Sequence, residues 1–113
     1  MARAKLETNL AARAELFQAL GHPVRLLIVN LGRMRPRHGQ ELAQILDLTP
    51  ATISFHLNNL AAAGLLQSTK DQYYQVYSLV GGVLEQTLQE VVSLPQAGLK
   101  REALSASLAH ERI

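Results

Sequence analysis

The chain has 113 residues, a formal net charge of +2 at pH 7 and no cysteine. This length fits one domain, and the missing cysteines exclude disulfides, thiolate metal sites and thiol redox switches. No apolar run approaches the roughly 20 residues of a membrane span, and residues 1–20 form a charged, amphipathic segment instead of a signal peptide. We therefore expect a small cytoplasmic protein that has no membrane partner.

Two helices are predicted at the start of the chain. Apolar residues recur at helical spacing over residues 6–20, and Gly21 is expected to end this first helix. Pro23 suits the first position of a second helix, which Gly32 is expected to end. His22 would be the N-cap of that second helix, a position for which histidine is a poor residue type.

The densest basic cluster follows these helices. It consists of Arg33, Arg35 and Arg37 together with His38. Basic side chains bind DNA phosphates and thereby orient a protein on the duplex. We therefore expect Arg35 and Arg37 to contact DNA, and a solvated loop with incidental charges is the alternative interpretation.

Residues 40–66 have the spacing of a helix-turn-helix. The apolar positions of a first helix end at Asp47, and Thr49 and Pro50 then supply the N-cap and the first position of a second helix. This second helix is expected to end at Gly64. Two short helices joined by a tight turn form a DNA-binding motif whose second helix enters the major groove. The alternative is a helical hairpin that only fills the core.

The outer face of the second helix is predicted to contact DNA. Its apolar stripe of Ile53, Leu57 and Leu60 is expected to face inward, and residues 48–69 contain no Lys or Arg. Apolar side chains on the outer face suit thymine methyl groups, an asparagine suits adenine, and hydroxyl groups suit phosphate or water-mediated contacts. His56 is expected to be half-buried. The predicted contacts are Thr49, Ala51, Thr52, Ser54, Phe55 and Asn58.

A β-hairpin is predicted directly after this helix. Residues 65–69 and 73–78 are expected to form its strands, with residues 70–72 as the turn. A hairpin in this place forms a wing beside the recognition helix. We expect ordinary cross-strand packing for Tyr74 or Tyr77. The wing residues expected to contact DNA are Lys70, Gln72 and Tyr73.

A last core helix is predicted from residue 80 to residue 94. Pro95 is expected to stop it. Residues 95–113 could add one more helix, although their apolar stripe is thin. The predicted organisation is a DNA-binding and dimerisation domain at 1–94 and a C-terminal tail at 95–113.

Three segments in this order resemble ArsR-type winged-helix repressors. Residues 16–26 (LFQALGHPVRL) are similar to the family's opening motif, residues 47–57 (DLTPATISFHL) to its recognition helix, and residues 63–66 (AGLL) to the exit from that helix. The similarity extends over residues 10–92. It implies a mainly α fold with a small β-hairpin (α+β), in the order α-α-α-α-β-β-α. It also implies a homodimeric transcriptional repressor whose first and last core helices form the dimer interface.

The residues themselves support such a dimer. Residues 1–20 and 80–94 carry more apolar surface than one small domain needs, which is typical of helices that pair across an interface. A symmetric dimer would bind an inverted-repeat operator. The predicted interface residues are Leu6, Leu10, Phe17, Val80, Leu84, Leu88 and Val91.

The metal sites known in this family are not expected here. They require cysteines, or Asp and His residues on the last core helix, where this chain offers only Glu85 and Glu90. The histidines at positions 22, 38, 56 and 110 show no spacing that would pair them on a helix. We therefore predict no metal and no other cofactor, and the sequence does not indicate an effector.

We predict a sequence-specific regulator that binds double-stranded DNA. An enzyme is not expected, because the chain has no Gly-flanked nucleophile, phosphate loop or paired-carboxylate motif. The alternative is a winged-helix module that binds another protein, which the uncharged recognition helix favours. Salt discriminates between the two, because affinity for DNA falls steeply as salt rises.

Overall fold

The computed structural model describes residues 2–93, with side chains from residue 10 onward. Over these residues the elements are α1 (Ala2–Leu20), α2 (Pro23–Met34), β1 (Arg37–His38), α3 (Gly39–Leu46), α4 (Pro50–Ala62), β2 (Leu66–Asp71), β3 (Tyr74–Leu79) and α5 (Val83–Val92). The predicted winged helix-turn-helix, a mainly α fold with a small sheet, is confirmed. The tail at 95–113 and the side chain of Leu6 lie outside the described residues.

The predicted hairpin is formed by β2 and β3, and a third strand extends it to a three-stranded antiparallel sheet. Its strand order is β1-β3-β2, because Arg37 and His38 pair with Tyr77 and Val76 of β3. The sequence predicted a loop here, since a strand of two residues is too short to show any alternation. This third strand ties the segment before the helix-turn-helix to the wing.

The turn of the wing is shorter than predicted. Lys70 and Asp71 belong to β2 and pair with β3, which leaves Gln72 and Tyr73 as the loop. Gln72 has a φ of +57°, and the turns that suit two-residue hairpin loops need a positive φ at this first position. The prediction of a turn at 70–72 is wrong because polar residues on an exposed strand have the composition of a turn.

Both ends of α2 also correct the sequence-based prediction. His22 does cap the helix, since its Nδ1 accepts a hydrogen bond from the backbone N–H of Val24 at 3.1 Å. The helix then passes through Gly32 and ends at Met34. A Cβ at Gly32 would lie 3.9 Å from the side chain of Leu66. This glycine therefore lies where α2 approaches the sheet closely, and it does not mark a helix end.

The helix-turn-helix has the ends that its residues predicted. Thr49 caps α4 through its Oγ1, which accepts a hydrogen bond from the backbone N–H of Thr52 at 3.2 Å. Left-handed residues follow both helices, with φ values of +55° at Asp47 and +82° at Gly64. In each case the next residue donates its backbone N–H to a carbonyl of the last helical turn at 3.0 Å. These caps fix where α3 stops and where α4 points.

The core lies between the first four helices and the sheet. Its most deeply buried side chains are Ile28, Leu42, Ile53, Leu57, Leu60 and Leu65. Among the described residues of α5, Thr87 alone is buried, whereas Leu88, Val91 and Val92 are exposed. Helix α5 therefore leaves apolar surface uncovered on this chain. Over the described part of the chain, none of the helices has the length and apolar character to cross a membrane.

Candidate nucleic-acid interface

The outer face of α4 is oriented as predicted. Its inward stripe is almost completely buried, while Ala51, Ser54 and Asn58 are exposed. Phe55 lies among them with 61% of its surface exposed. The exposed face thus combines apolar and hydrogen-bonding groups without any charge.

The N-terminus of α4 presents hydroxyl groups in a fixed arrangement. Thr49 is exposed and Thr52 is partly buried. The hydroxyl of Thr49 donates a hydrogen bond to Oγ1 of Thr52 at 2.9 Å, so the hydroxyl proton of Thr52 is available to an acceptor outside the protein. This geometry suits the phosphate contact that was predicted for the pair.

His56 is more deeply placed than predicted. It is 4% exposed, and burial lowers its pKa below the ordinary value, with the electrostatic interactions with His22 and Arg25 acting in the same direction. Its ring lies 4.5 Å from that of His22, centroid to centroid, and 5.4 Å from that of Phe55. The proximity of the two histidines could not be predicted, because one precedes α2 and the other lies within α4.

The basic segment before α3 is held by a carboxylate. Glu41 accepts hydrogen bonds from Arg35, from Arg37 at 3.0 Å and from the backbone N–H of His38 at 3.3 Å. The hydrogen bond from Arg35 is the main cause that lowers the pKa of Glu41, and burial opposes it. The sequence analysis missed this acidic partner, although a Glu three residues after a helix N-cap indicates a capping box.

Arg37 does not suit the phosphate contact predicted for it. The residue is 8% exposed, and its Nε donates to the carbonyl of Leu31 at 3.2 Å. Its Nη1 donates to Glu41 of α3 at 3.0 Å. Arg37 therefore has a structural role, and its burial argues against the DNA contact predicted for it. Arg35 remains exposed, with its guanidinium paired to Glu41.

The wing and the recognition helix share one groove. Lys70, Gln72 and Tyr73 are exposed, and Tyr73 at the tip has 90% of its surface exposed. A groove of about 220 Å³ runs between the wing and the N-termini of α3 and α4, and both Tyr73 and Ser54 line it. Tyr74 instead stacks on His38 with ring centroids 4.9 Å apart. The fold therefore brings Tyr73 of the wing and Ser54 of α4, two of the predicted contacts, to one groove.

Comparison with known proteins assigns the family. Residues 22–68 match the family model described as bacterial regulatory protein, arsR family. An HTH-type transcriptional regulator of Methanocaldococcus jannaschii is 31% identical over 84 residues, which span 72% of this chain and 88% of that protein. The chain belongs to the arsR family. The HTH-type transcriptional regulator YgaV of Escherichia coli is 32% identical over 77 residues, which span 67% of this chain and 78% of that regulator.

Solved structures agree with this assignment. An ArsR-like transcriptional regulator from Rhodococcus is 28% identical, with a TM-score of 0.68 over 89% of this chain and 92% of that chain. A homodimeric winged helix-turn-helix DNA-binding domain from Mycobacterium bovis has the same fold at 24% identity, with a TM-score of 0.64 over 79% of this chain and 87% of that chain. This arsR-family chain is thus a transcriptional regulator with a DNA-binding winged helix-turn-helix.

The surfaces expected to pair in an arsR-family dimer lie on α1 and α5. Leu88 and Val91 are exposed, whereas Phe17 is partly buried against the core. Leu10, Val80 and Leu84 are also partly buried. The sequence analysis missed that the two helices are joined by an ion pair, in which Nη2 of Arg13 lies 2.6 Å from Oε2 of Glu90.

The described part of this arsR-family chain contains no group of three metal-ligating side chains. Glu90, one of the two acidic residues considered for the last core helix, is engaged by Arg13. Glu85 is exposed and lies 4.0 Å from Arg33. His22 and His56 are close together but have Arg25 beside them, and that positive charge opposes binding of a cation.

Proposed function

We propose that this chain is a homodimeric transcriptional repressor that binds an inverted-repeat operator. Helix α4 enters the major groove, and the wing lies over the adjacent backbone. The observation that carries the proposal is the exposed outer face of α4, together with the groove that Ser54 of this helix shares with Tyr73 at the tip of the wing. Two such faces, related by the dimer axis, would read half-sites whose centres are about one helical turn or a small multiple of it apart.

The chemistry of α4 selects the kind of half-site. Without Lys or Arg on this helix, the bidentate contact to guanine, which is the commonest specific contact, is absent. Ala51 and Phe55 offer apolar surface to thymine methyl groups, and Asn58 offers an amide to adenine. We therefore propose half-sites that are A·T-rich under α4. Thr49, Thr52 and Ser54 would contact phosphates or bridging waters.

Phosphate contacts outside α4 would supply most of the salt-dependent affinity. The exposed cations among the predicted contacts are Lys70 on the wing and Arg35 before α3, and the uncharged Gln72 and Tyr73 are also exposed on the wing. Arg35 would exchange its pairing with Glu41 for a pairing with phosphate. Such exchanges between exposed charged partners cost little, since an exposed ion pair contributes about 0–1 kcal/mol.

The dimer would form through α1 and α5. The exposed apolar residues of α5 support this, and the ion pair between Arg13 of α1 and Glu90 of α5 joins the two helices. The M. bovis domain of the same fold is homodimeric. The proposed interface residues remain Leu10, Phe17, Val80, Leu84, Leu88 and Val91, with Leu6 on the same helix. No cofactor and no catalytic step form part of this proposal.

The test is a selection of DNA sequences that bind the purified full chain, followed by affinity measurements across a salt series. An inverted repeat with A·T-rich half-sites and an affinity that falls steeply with salt are expected. Reporter repression from the selected site would then establish the repressor role. Recovery of no preferred sequence would overturn the proposal.

A protein-binding winged helix is the second candidate, and the exposed Phe55 on an uncharged helix favours it. An apolar protein contact would not weaken as salt rises, whereas each phosphate contact adds to the salt dependence of DNA binding. A partner from the same cells that protects the outer face of α4 at high salt, while no DNA is bound at low salt, would support this second candidate.

A further inference from the structure

Three aromatic rings connect the outer face of α4 to the beginning of α2. The ring of Phe55 meets the ring of His56 edge-on, at 5.4 Å and an interplanar angle of 70°. The ring of His56 in turn lies 4.5 Å from that of His22, at 52°. An edge contact between aromatic rings fixes their mutual orientation. The exposed ring of Phe55 therefore contacts the buried imidazole of His56.

Burial disfavours the charged form of this imidazole. His56 is 4% exposed, and its Nδ1 is buried without a hydrogen-bond partner in the described structure. The groups that face it are Arg25, whose Nε is also buried and unpartnered, and His22, whose Nδ1 is occupied as the cap of α2. Glu15 of α1 lines the same cleft as Arg25 but is exposed, so it compensates a buried positive charge poorly.

From this geometry we propose that His56 is a positioning residue for sequence readout by Phe55. As a neutral ring it holds the phenyl group on the outer face of α4, and its protonation weakens the preference for cognate DNA. A cation at this position would lie beside Arg25 in an apolar environment, so it must move toward water. That movement breaks the edge contact with Phe55. The inference rests on the proposed function, because it assumes that Phe55 reads bases.

Burial of His56 sets the pH range over which the preference for cognate DNA is expected to weaken. The ordinary pKa of histidine is 6.5, and burial lowers that of His56. The neutral form of His56 therefore predominates at pH 7.5 and is lost as the pH falls below 6.5. Over that range most phosphate contacts keep their charge, because the Lys and Arg side chains remain protonated. Discrimination should therefore fall more than affinity for random DNA.

The experiment measures dissociation constants of the full chain for its selected operator and for random DNA, at constant salt, between pH 7.5 and pH 5. For the unmodified protein the ratio of the two constants is expected to fall about tenfold toward the acid end, within the range of known coupling effects. His56→Phe keeps an aromatic ring that cannot be protonated. It should preserve the ratio at neutral pH and remove its pH dependence.

Two further variants separate positioning from other roles. His56→Ala removes the ring, and it should lower discrimination at neutral pH while affinity for random DNA stays within about twofold. His38→Asn removes the histidine that stacks on Tyr74 and keeps a good N-cap residue for α3. This control should keep the pH dependence. A His56→Phe variant that retains the pH dependence, or a ratio that is constant in the unmodified protein, would overturn the inference.

An NMR titration of the unmodified protein decides the matter without DNA and without variants that could fail to fold. The imidazole of His56 is expected to titrate below 6.5, and the ring resonances of Phe55 should shift with the same midpoint. Titration of His56 at its ordinary value, or Phe55 signals that ignore it, would contradict the positioning role. If these signals behave as expected but no DNA is preferred at neutral pH, the proposed function fails instead.

Discussion

At the scale of single residues, the side proposed to bind DNA carries uncharged and cationic side chains in separate places. The outer face of α4 is uncharged and carries Phe55 and Asn58 at exposed positions, whereas the exposed cations Arg35 and Lys70 lie before and after the helix-turn-helix. Base edges are read by shape and hydrogen bonds, and phosphates are read by charge. The distribution of these residues therefore predicts that specificity and overall affinity can be changed separately.

Replacement of Phe55 by alanine tests this separation. Because the ring is largely exposed, the variant should fold normally, yet it should lose about 1–3 kcal/mol of binding free energy on the selected operator and little on random DNA. Lys70→Ala is the matched control, and it should weaken both complexes by similar factors. Competition binding measures the affinities of both variants for the selected operator and for random DNA. A Phe55→Ala variant with unchanged discrimination, or selected half-sites rich in G·C, would contradict the assignment of α4.

Glu41 should control stability at acid pH. Its pKa is lowered in the folded chain by Arg35, so its contribution to stability is present above the unfolded value of 4.5 and is lost as the pH falls through the lower folded value. Glu41→Gln should destabilise by about 1–3 kcal/mol at pH 7, since it leaves the buried Arg37 without its charged partner. Urea unfolding from pH 7 to pH 3 measures the effect.

The control for this prediction is Glu85→Gln. Glu85 is exposed and only 4.0 Å from the exposed Arg33, and such surface pairs contribute little. The urea unfolding curve of the Glu85→Gln variant should match that of the unmodified chain at every pH. Equal destabilisation by the two substitutions would mean that Glu41 acts through general surface charge and not through the arginines.

At the scale of whole elements, the helix ends determine the position and direction of α4. The N-cap Thr49 and the left-handed residues Asp47 and Gly64 bound the two helices of the motif. Between them the chain has no freedom to shift its register, because each end satisfies backbone groups that would otherwise lack partners. The direction of the recognition helix thus depends on a few backbone angles as well as on core packing.

Gly64→Ala tests the contribution of one helix end. Gly64 has a φ of +82°, and a Cβ there would meet nothing within 4 Å, so the expected loss of about 1 kcal/mol in unfolding free energy is due to backbone strain alone. Gly81 has equal space but no such φ. Gly81→Ala should therefore be neutral or slightly stabilising. If both variants have the same urea midpoint, the left-handed cap does not stabilise α4.

At the scale of the whole molecule, helix α5 carries an apolar surface that the core of this chain does not cover. Exposed Leu88 and Val91 project from α5, and Arg13 and Glu90 pair across α1 and α5 at the same end of the molecule. A small domain buries a limited fraction of its surface. A second copy that covers this face would bury the leucine and valine side chains and place two recognition helices on one duplex.

Leu88→Arg should disrupt this dimer. Leu88 is 46% exposed, so the folded monomer tolerates a longer side chain, whereas a dimer would have to bury an unpaired charge. Sedimentation should show monomers or unfolded protein. Leu27→Arg, at a residue 51% exposed on α2, is the control and should remain dimeric. A Leu88→Arg protein that sediments as a normal dimer would remove α5 from the proposed interface.

DNA binding should not respond to transition metals or to oxidants. The chain has no cysteine, and its described residues hold no cluster of three metal ligands. Zinc, nickel, copper or peroxide, added during a binding assay near pH 7.5, should leave the affinity unchanged within error. A reproducible tenfold loss of affinity with one metal, equal to about 1.4 kcal/mol, would show that the chain has a metal site.

Local chemistry was sufficient to predict the helix-turn-helix, its caps and the outer face of α4. Thr49, Pro50 and Gly64 act through their own backbone and neighbours, and the inward stripe of α4 follows from helical periodicity. The same holds for the exposed tip of the wing at Tyr73. The domain boundary at 94 and the DNA contacts themselves remain predictions.

Two kinds of feature depended on the tertiary structure. These are contacts between residues distant in sequence and strands that are too short to show a sequence pattern. Strand β1 exists only because β3 pairs with it, and that pairing buries Arg37 against Glu41. Likewise, His22 and His56 become neighbours only when α2 packs on α4. Periodicity and residue type report the local preferences of the backbone. They carry no information about which distant partner will cover a side chain, so burial and pairing of these residues required the folded structure.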